Sequence, residues 1–323
     1  MKVPKISFIL TAYNFGKYIK TAIQSLLDQN GAYSFEIIVV DDCSTDNTPE
    51  IVKTISDTRV KYFYNKKNLG VAGSINKAFS LTSGEYICRF DGDDEWYPWF
   101  LEETVPILDN NPEIGLVYGD ISMINLNGEI TEKEARVADY SQFGKKELLK
   151  KLCLDYIIPA PSIMGRRAAW ESALPLDDDL IFCDFDLSIN ILSKWKLAYV
   201  PKPLSKYRVH DGNIHTTSFD KKRQGEQSII KSINSFFAKT DILSEKDRRE
   251  ILGRGYFSFA DSYFGLGNMK EARRCYKKGI KLMEKNAGPE YYRRYMATYI
   301  GTGIYDKVKG IYKKALGKEM QSA

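Results

Sequence analysis

Apolar positions along this chain follow two rhythms. Short, nearly continuous apolar runs at Lys5–Leu10, Phe35–Val40 and Tyr86–Phe90 read as buried strands, and Val60–Tyr64 reads as a further strand. Between them, Ile19, Ile23, Leu26 and Leu27 recur at helical spacing. Further helices are predicted from Thr48 to about Ser56, with Pro49 tolerated in the first turn, and from about Ala72 to Leu81. A helix over Pro98–Leu108, a strand over Ile114–Tyr118 and a hairpin turning at Asn127-Gly128 follow. A helix over Asp184–Trp195 and two short strands, Ala198–Val200 and Lys206–Val209, close this part of the chain. Strands alternating with helices imply right-handed βαβ units and a mainly parallel central sheet.

After about Phe219 the strand signal stops, and helical segments rich in Lys, Arg and Tyr run to the end. We therefore expect two domains, residues 1–218 (α/β) and residues 219–323 (all-α). Within the second, the spacing of Ala260, Tyr263, Leu266-Gly267, Glu271-Ala272 and Tyr276 resembles one tetratricopeptide helix-turn-helix unit. A single unit cannot bury its own face, so a helical appendage is expected rather than a repeat array.

The polar residues matter most where the early strands end. Thr11 and Tyr13, then Asp41 and Asp42, then Asp91, Asp93 and Asp94 follow three of these strands. In an open α/β sheet, ligands bind outside the carboxyl ends of the strands. Three carboxylates around Gly92 repel one another unless a cation or a shared proton offsets the charge. Such an oxygen-rich cluster suits Mg²⁺ or Mn²⁺, which take phosphate oxygens as their other ligands. The plainer alternative is an Asp-Gly turn with solvated charges.

Composition narrows the class. The chain has 323 residues, 43% of them apolar and 28% charged, as in ordinary globular proteins. No apolar run approaches the roughly 18 residues of a membrane-spanning helix, and the start, Met-Lys-Val-Pro-Lys, lacks the marks of a cleaved leader. Five scattered cysteines (Cys43, Cys88, Cys153, Cys183 and Cys275) suggest neither a disulfide framework nor a metal-binding pair; a cytoplasmic setting is expected. There is no GxGxxG turn and no GxxxxGK[ST] loop, so Rossmann dinucleotide and P-loop readings have little support.

The ordered stretches Ser7–Asn14, Glu36–Asp46, Asn68-Leu69-Gly70 with Asn76, and Asp91-Gly92-Asp93-Asp94 together resemble a family 2 glycosyltransferase of the GT-A fold, over roughly residues 5–215. The resemblance implies inverting sugar transfer from a nucleotide sugar, usually UDP-linked, to an acceptor hydroxyl. It implies that Thr11, Tyr13, Asp42, Asn76 and Asp91 contact the donor nucleotide, with Asp41 a turn residue or an alternative to Asp42. Asp93 and Asp91 would hold the metal, Mn²⁺ or Mg²⁺, with Asp94 in support. Many members carry an Arg where this chain has Ile75. In Cys183-Asp184-Phe185-Asp186-Leu187, Asp184 matches the general base, with Cys183 replacing the usual Glu; capping of the following helix is its alternative role. His210, in Tyr207–Asn213, would complete the metal site or touch the diphosphate; an ordinary surface histidine is the alternative.

The implied role is surface polysaccharide, glycolipid or glycoprotein glycan synthesis, with a glycan, lipid-linked or protein-linked acceptor. The Lys- and Arg-rich stretch Tyr291–Lys318 could lie on an anionic membrane, at the inner face of the cell membrane, or present a solvated helical face. No base-stacking module accompanies that charge, so nucleic acid is not an expected partner. A nucleotidyltransferase, or a silent scaffold whose helical tail binds a partner, are the other readings of the same acidic cluster.

Overall fold

The computed structural model describes residues 3–135, 137–156, 158–210 and 219–300. In chain order its main elements are β1 (Ile6–Ala12), α1 (Ile19–Leu27), β2 (Phe35–Asp41), α2 (Thr48–Lys53), β3 (Val60–Tyr64), α3 (Gly70–Leu81), β4 (Tyr86–Asp91), β5 (Glu95–Trp96), α4 (Phe100–Asn110), β6 (Ile114–Ile124), β7 (Ile130–Ala135), α5 (Lys145–Leu154), β8 (Met164–Arg166), α6 (Arg167–Glu171), α7 (Cys183–Leu192) and β9 (Lys196–Arg208). Four helices follow: α8 (Phe219–Lys239), α9 (Glu245–Gly265), α10 (Met269–Met283) and α11 (Pro289–Ala297). The chain divides into two compact units, residues 1–216 with 234–242, and residues 217–233 with 243–323.

The strands of the first unit form one sheet in the order β3-β2-β1-β4-β8-β6-β9-β5, with β7 paired to β6. The expected parallel sheet is its first half: β3, β2, β1 and β4 run parallel, Ile9 lying between Ile38 and Arg89 in register. Strand β1 is buried along its whole length, as its unbroken apolar run requires. The second half is mixed: β8 pairs antiparallel with β4 and β6, β9 parallel with β6, and β5 antiparallel with β9. Ile19, Ile23 and Leu26 of α1 and Phe100, Leu101, Val105 and Leu108 of α4 join the core with one face of β1, β2 and β4.

One sequence expectation is revised. Ala198–Val200 and Lys206–Val209 are not separate strands: Ala198–Val200 and Lys206–Arg208 both belong to the 13-residue β9, which ends one residue before Val209. The register against β6 jumps from Gly119–Val200 to Asp120–Pro203, so the irregularity absorbs Pro201 without ending the ladder.

In the second unit, α9 and α10 form a helical hairpin turning at Leu266-Gly267-Asn268, where Gly267 has a φ of +77°. Tyr256, Phe257, Ala260, Tyr263, Ala272, Cys275 and Tyr276 pack between its helices. Ser244 and Asp247 cap α9 reciprocally. Of the basic stretch Tyr291–Lys318, residues 301–318 lie outside the described residues.

Opposite the polar strand ends, Glu36 is buried where β1, β2 and β4 begin. It accepts hydrogen bonds from Ser7 Oγ (2.7 Å), Ser83 N (2.7 Å), Ser83 Oγ (2.8 Å) and Lys61 Nζ (2.7 Å). Burial works against its charge, but Lys61, Ser7 and Ser83 outweigh it and hold the carboxyl below its usual range. Its stabilisation is therefore complete at neutral pH and fades as pH falls through the lowered value. Glu36→Gln should cost about 2–3 kcal/mol at pH 7, the scale of hydrogen bonds to a buried charge. In denaturant titrations that difference should shrink as pH falls below the ordinary glutamate range; a constant difference would refute the charge-based account.

Candidate active site

The carboxyl ends of β1, β2 and β4 form one rim. The Asp42 N–H donates to the Ala12 carbonyl (2.8 Å) and the Gly92 N–H to the Thr11 carbonyl (3.2 Å), so the residues after β2 and β4 flank the end of β1. Thr11 Oγ donates to Asp91 Oδ1 (3.3 Å). Tyr13 lies beyond them, half-exposed rather than packed in the core.

The two aspartates ending β2 have separate fates. Asp41 is fully buried, its carboxylate accepting from the Ser44 N–H (2.8 Å) and the Tyr62 hydroxyl (2.9 Å). It is a turn residue. Asp42 Oδ1 accepts from Leu69 N (2.7 Å) and Asn65 Nδ2 (2.8 Å), so the Asn68-Leu69-Gly70 turn wraps this carboxylate. Among the described residues, no donor is seen on Asp42 Oδ2.

The acidic turn after β4 is held from two sides. Arg208, buried at the end of β9, donates from its main chain to Asp94 Oδ1 (2.9 Å) and from its guanidinium to the Asp93 carbonyl (2.7 Å), to Glu95 Oε1 (2.7 Å) and to the Asn125 carbonyl (2.8 Å). Two residues on, His210 Nε2 lies 2.8 Å from Asp93 Oδ2, and its ring stacks on Tyr18. His210 is thus fixed against the acidic turn, not an ordinary surface histidine. A Cβ at Gly92 would stand 2.8 Å from Ile19 and 3.0 Å from Phe15, which explains the glycine between the aspartates. Asp91 keeps about a third of its side chain exposed (32%). Burial, with the charges of Asp93 and Asp184 nearby, raises its carboxyl above the usual range, and Arg89 pulls the other way. Burial and the charge of Asp93 raise Asp94 well above that range.

Asp184 does not cap α7. The helix begins at Cys183 after Phe182, with no side-chain cap. Its carboxylate instead pairs with Arg89 Nη1, while Arg89 Nη2 donates to both oxygens of Asp91 (2.8 and 3.0 Å). Sequence reasoning missed Arg89, which sits inside the apolar run of β4. A charge two positions before Asp91 shares its side of the strand, and that spacing was the available signal. Asp186 is structural, buried and bonded to Asn190 Nδ2 (3.1 Å).

The rim does not gather every expected residue. Asn76 donates to the Leu176 carbonyl (2.8 Å) and accepts from the Leu176 N–H (2.9 Å), so both halves of its amide hold the loop before α7. Ile75 is core. Asp211, Asn213 and His215 lie outside the described residues.

Among the described residues, no group of three His, Cys, Asp or Glu side chains is arranged to hold a metal by itself. Asp93 and His210, with Asp91 beside them, supply a mixed oxygen and nitrogen set. Mg²⁺ commonly takes one or two carboxylates and completes its shell with phosphate and water. The residues present fit an ion bound in that way.

The profile of Glycosyl transferase family 2 matches residues 7–172. An uncharacterized glycosyltransferase of Methanocaldococcus jannaschii is 30% identical over 228 residues, covering 69% of this chain and 77% of that protein. One from Haemophilus influenzae is 30% identical over 245 residues, covering 72% and 73%. Among solved structures, S. aureus TarS 1–349 aligns with a TM-score of 0.64 at 19% identity, over 91% of this chain and 89% of that one. It has also been solved with UDP-GlcNAc. The mannosyltransferase PcManGT of Pyrobaculum calidifontis, in complex with GDP-Man and Mn²⁺, aligns at 0.53 and 17% identity, over 93% and 85%. The fold is therefore of the GT-A type. No helix among the described residues is long and apolar enough to cross a membrane.

The geometry of Asn76 yields a test. Asn76→Leu should lower stability by about 1–3 kcal/mol, the cost of leaving its main-chain partners unpaired, and make residues 174–180 more sensitive to protease. A loss of UDP affinity with no loss of stability would instead mark Asn76 as a nucleotide contact.

Proposed function

The chain belongs to glycosyl transferase family 2, and we propose that within it the protein is an inverting transferase. It moves a hexose from a UDP-sugar to an acceptor hydroxyl on a glycan, lipid-linked or protein-linked acceptor, in polysaccharide, glycolipid or glycoprotein glycan synthesis. What supports this most is the Asp91–Arg89–Asp184 bridge, which sets a carboxylate from α7 beside the strand-end cluster. The complex of a fold relative with UDP-GlcNAc supports UDP as the nucleotide. The basic stretch from Tyr291 onward is the candidate for peripheral contact with an anionic membrane.

In this reading Asp42 Oδ2 accepts an N–H from the nucleobase, with Thr11 and Tyr13 beside it. Asp93, His210 and Asp91 would hold Mn²⁺ or Mg²⁺, which when bound stabilises the charge on the departing diphosphate. Inversion requires attack from the face opposite the leaving group. Asp184 takes the proton of the attacking hydroxyl as general base.

Calorimetry with UDP tests the donor half. Binding should require or strongly favour Mn²⁺, and Asp93→Ala should abolish that metal dependence; no UDP binding under either condition would refute UDP as the donor nucleotide. For the chemical half, UDP release from UDP-glucose, UDP-galactose and UDP-N-acetylglucosamine would be followed. Asp184→Asn should slow release by about 10²-fold or more, the usual contribution of a general base, with UDP affinity close to wild type. Release at the wild-type rate would remove Asp184 from the mechanism.

A further inference from the structure

Arg89 is an unusual arginine for this protein. It sits on β4 between Cys88 and Phe90, both fully enclosed, and only 7% of its side chain is exposed. Three other buried or half-buried arginines of the first unit tie main chain together. Arg166 donates to the Leu108 carbonyl (2.7 Å), Arg167 to the Gly84 carbonyl (2.6 Å) and Arg208 to the Asp93 carbonyl (2.7 Å). Arg89 donates to no carbonyl among the described residues. Among those residues its Nε is buried without a partner, and both its terminal nitrogens go to carboxylates, one on β4 and one on α7.

We propose that Arg89 is a positioning residue for sugar transfer: its rigid fork fixes the donor-side carboxylate, Asp91, and the acceptor-side carboxylate, Asp184, at one spacing. The proposal rests on the reading of Asp184 as general base. A guanidinium is planar and presents its donors at fixed angles, so two carboxylates gripped by its two ends cannot drift independently. A general base works only within hydrogen-bond reach of the proton it removes, and small displacements are costly in rate. Asp184 comes from the first turn of α7 and shares no strand with Asp91; among the described residues, this guanidinium is the only hydrogen-bonded link between their side chains. A lysine would keep the charge but has a single ammonium on a flexible stem, and it cannot reproduce the fork.

The decisive variant is therefore Arg89→Lys, with Arg89→Met as a second and Asp184→Asn as the reference. UDP release from the UDP-sugar turned over fastest by the wild-type enzyme gives kcat and KM, calorimetry with UDP and Mn²⁺ gives nucleotide affinity, and thermal melting reports folding. Arg89→Lys should melt cooperatively and lose about tenfold or more in kcat, more than it loses in UDP affinity, as expected when an interaction needed in the transition state is removed. In the Asp184→Asn background the same substitution should cost less than about twofold, because residues acting as a unit are not additive. Wild-type kcat in a folded Arg89→Lys, or losses that simply multiply in the double variant, would overturn the proposal and leave Arg89 a structural counter-charge. Should Arg89→Met fail to fold, Arg89→Lys decides alone. If Asp184→Asn itself turns over normally, the base assignment fails first, which is distinguishable because Arg89→Lys would then be judged against an intact reference.

Discussion

Mutual repulsion among carboxylates is the constraint around which this molecule is arranged. Asp91, Asp93, Asp94 and Asp184 converge on one end of a sheet that packs on a large apolar core. Burial strengthens every such repulsion by lowering the local dielectric. The protein offsets it with groups drawn from several elements. Arg89 bridges Asp91 and Asp184, the Arg208 main chain serves Asp94, and His210 faces Asp93. What remains open on Asp91 and Asp93 is then available to a ligand cation rather than to self-cancellation.

The sheet makes this arrangement affordable to build because its two halves approach the acidic turn from different directions. The parallel half delivers Thr11, Asp42 and Asp91. Strand β9, running through the mixed half, brings Arg208 and His210 to the same turn from a distant part of the chain. Arg208 also reaches the turn between β6 and β7 through the Asn125 carbonyl, so one side chain ties the acidic turn to that hairpin.

The strands and the acidic rim were legible because both write themselves locally: buried parallel strands as apolar runs, ligand-facing ends as clustered Asp, Thr and Tyr. Partnerships across the fold were not. Arg89 was hidden in an apolar run, its meaning depending on a helix about ninety-five residues later in the chain. Asn76 was given a nucleotide contact by its place in a motif, whereas its amide is engaged with Leu176, a pairing no local pattern announces. Two prolines split β9 on paper, since propensity ignores a bulge that can house one of them. The division between Asp41 and Asp42 likewise needed the Tyr62 hydroxyl and the Leu69 N–H to decide it.

A small feature of the rim bears on how fast it can be occupied. Asn14, with a φ of +58°, accepts from the main-chain N–H groups of Thr45 (2.8 Å) and Asp46 (3.3 Å) and donates its own N–H to Ser44 Oγ (2.9 Å). Asp46 in turn accepts from the Gly16 N–H (2.9 Å). The loops after β1 and β2 are thus laced together by the protein's own groups before anything binds. A ligand landing between them freezes little additional backbone, so its entropic penalty is small and encounter need not wait for loop rearrangement.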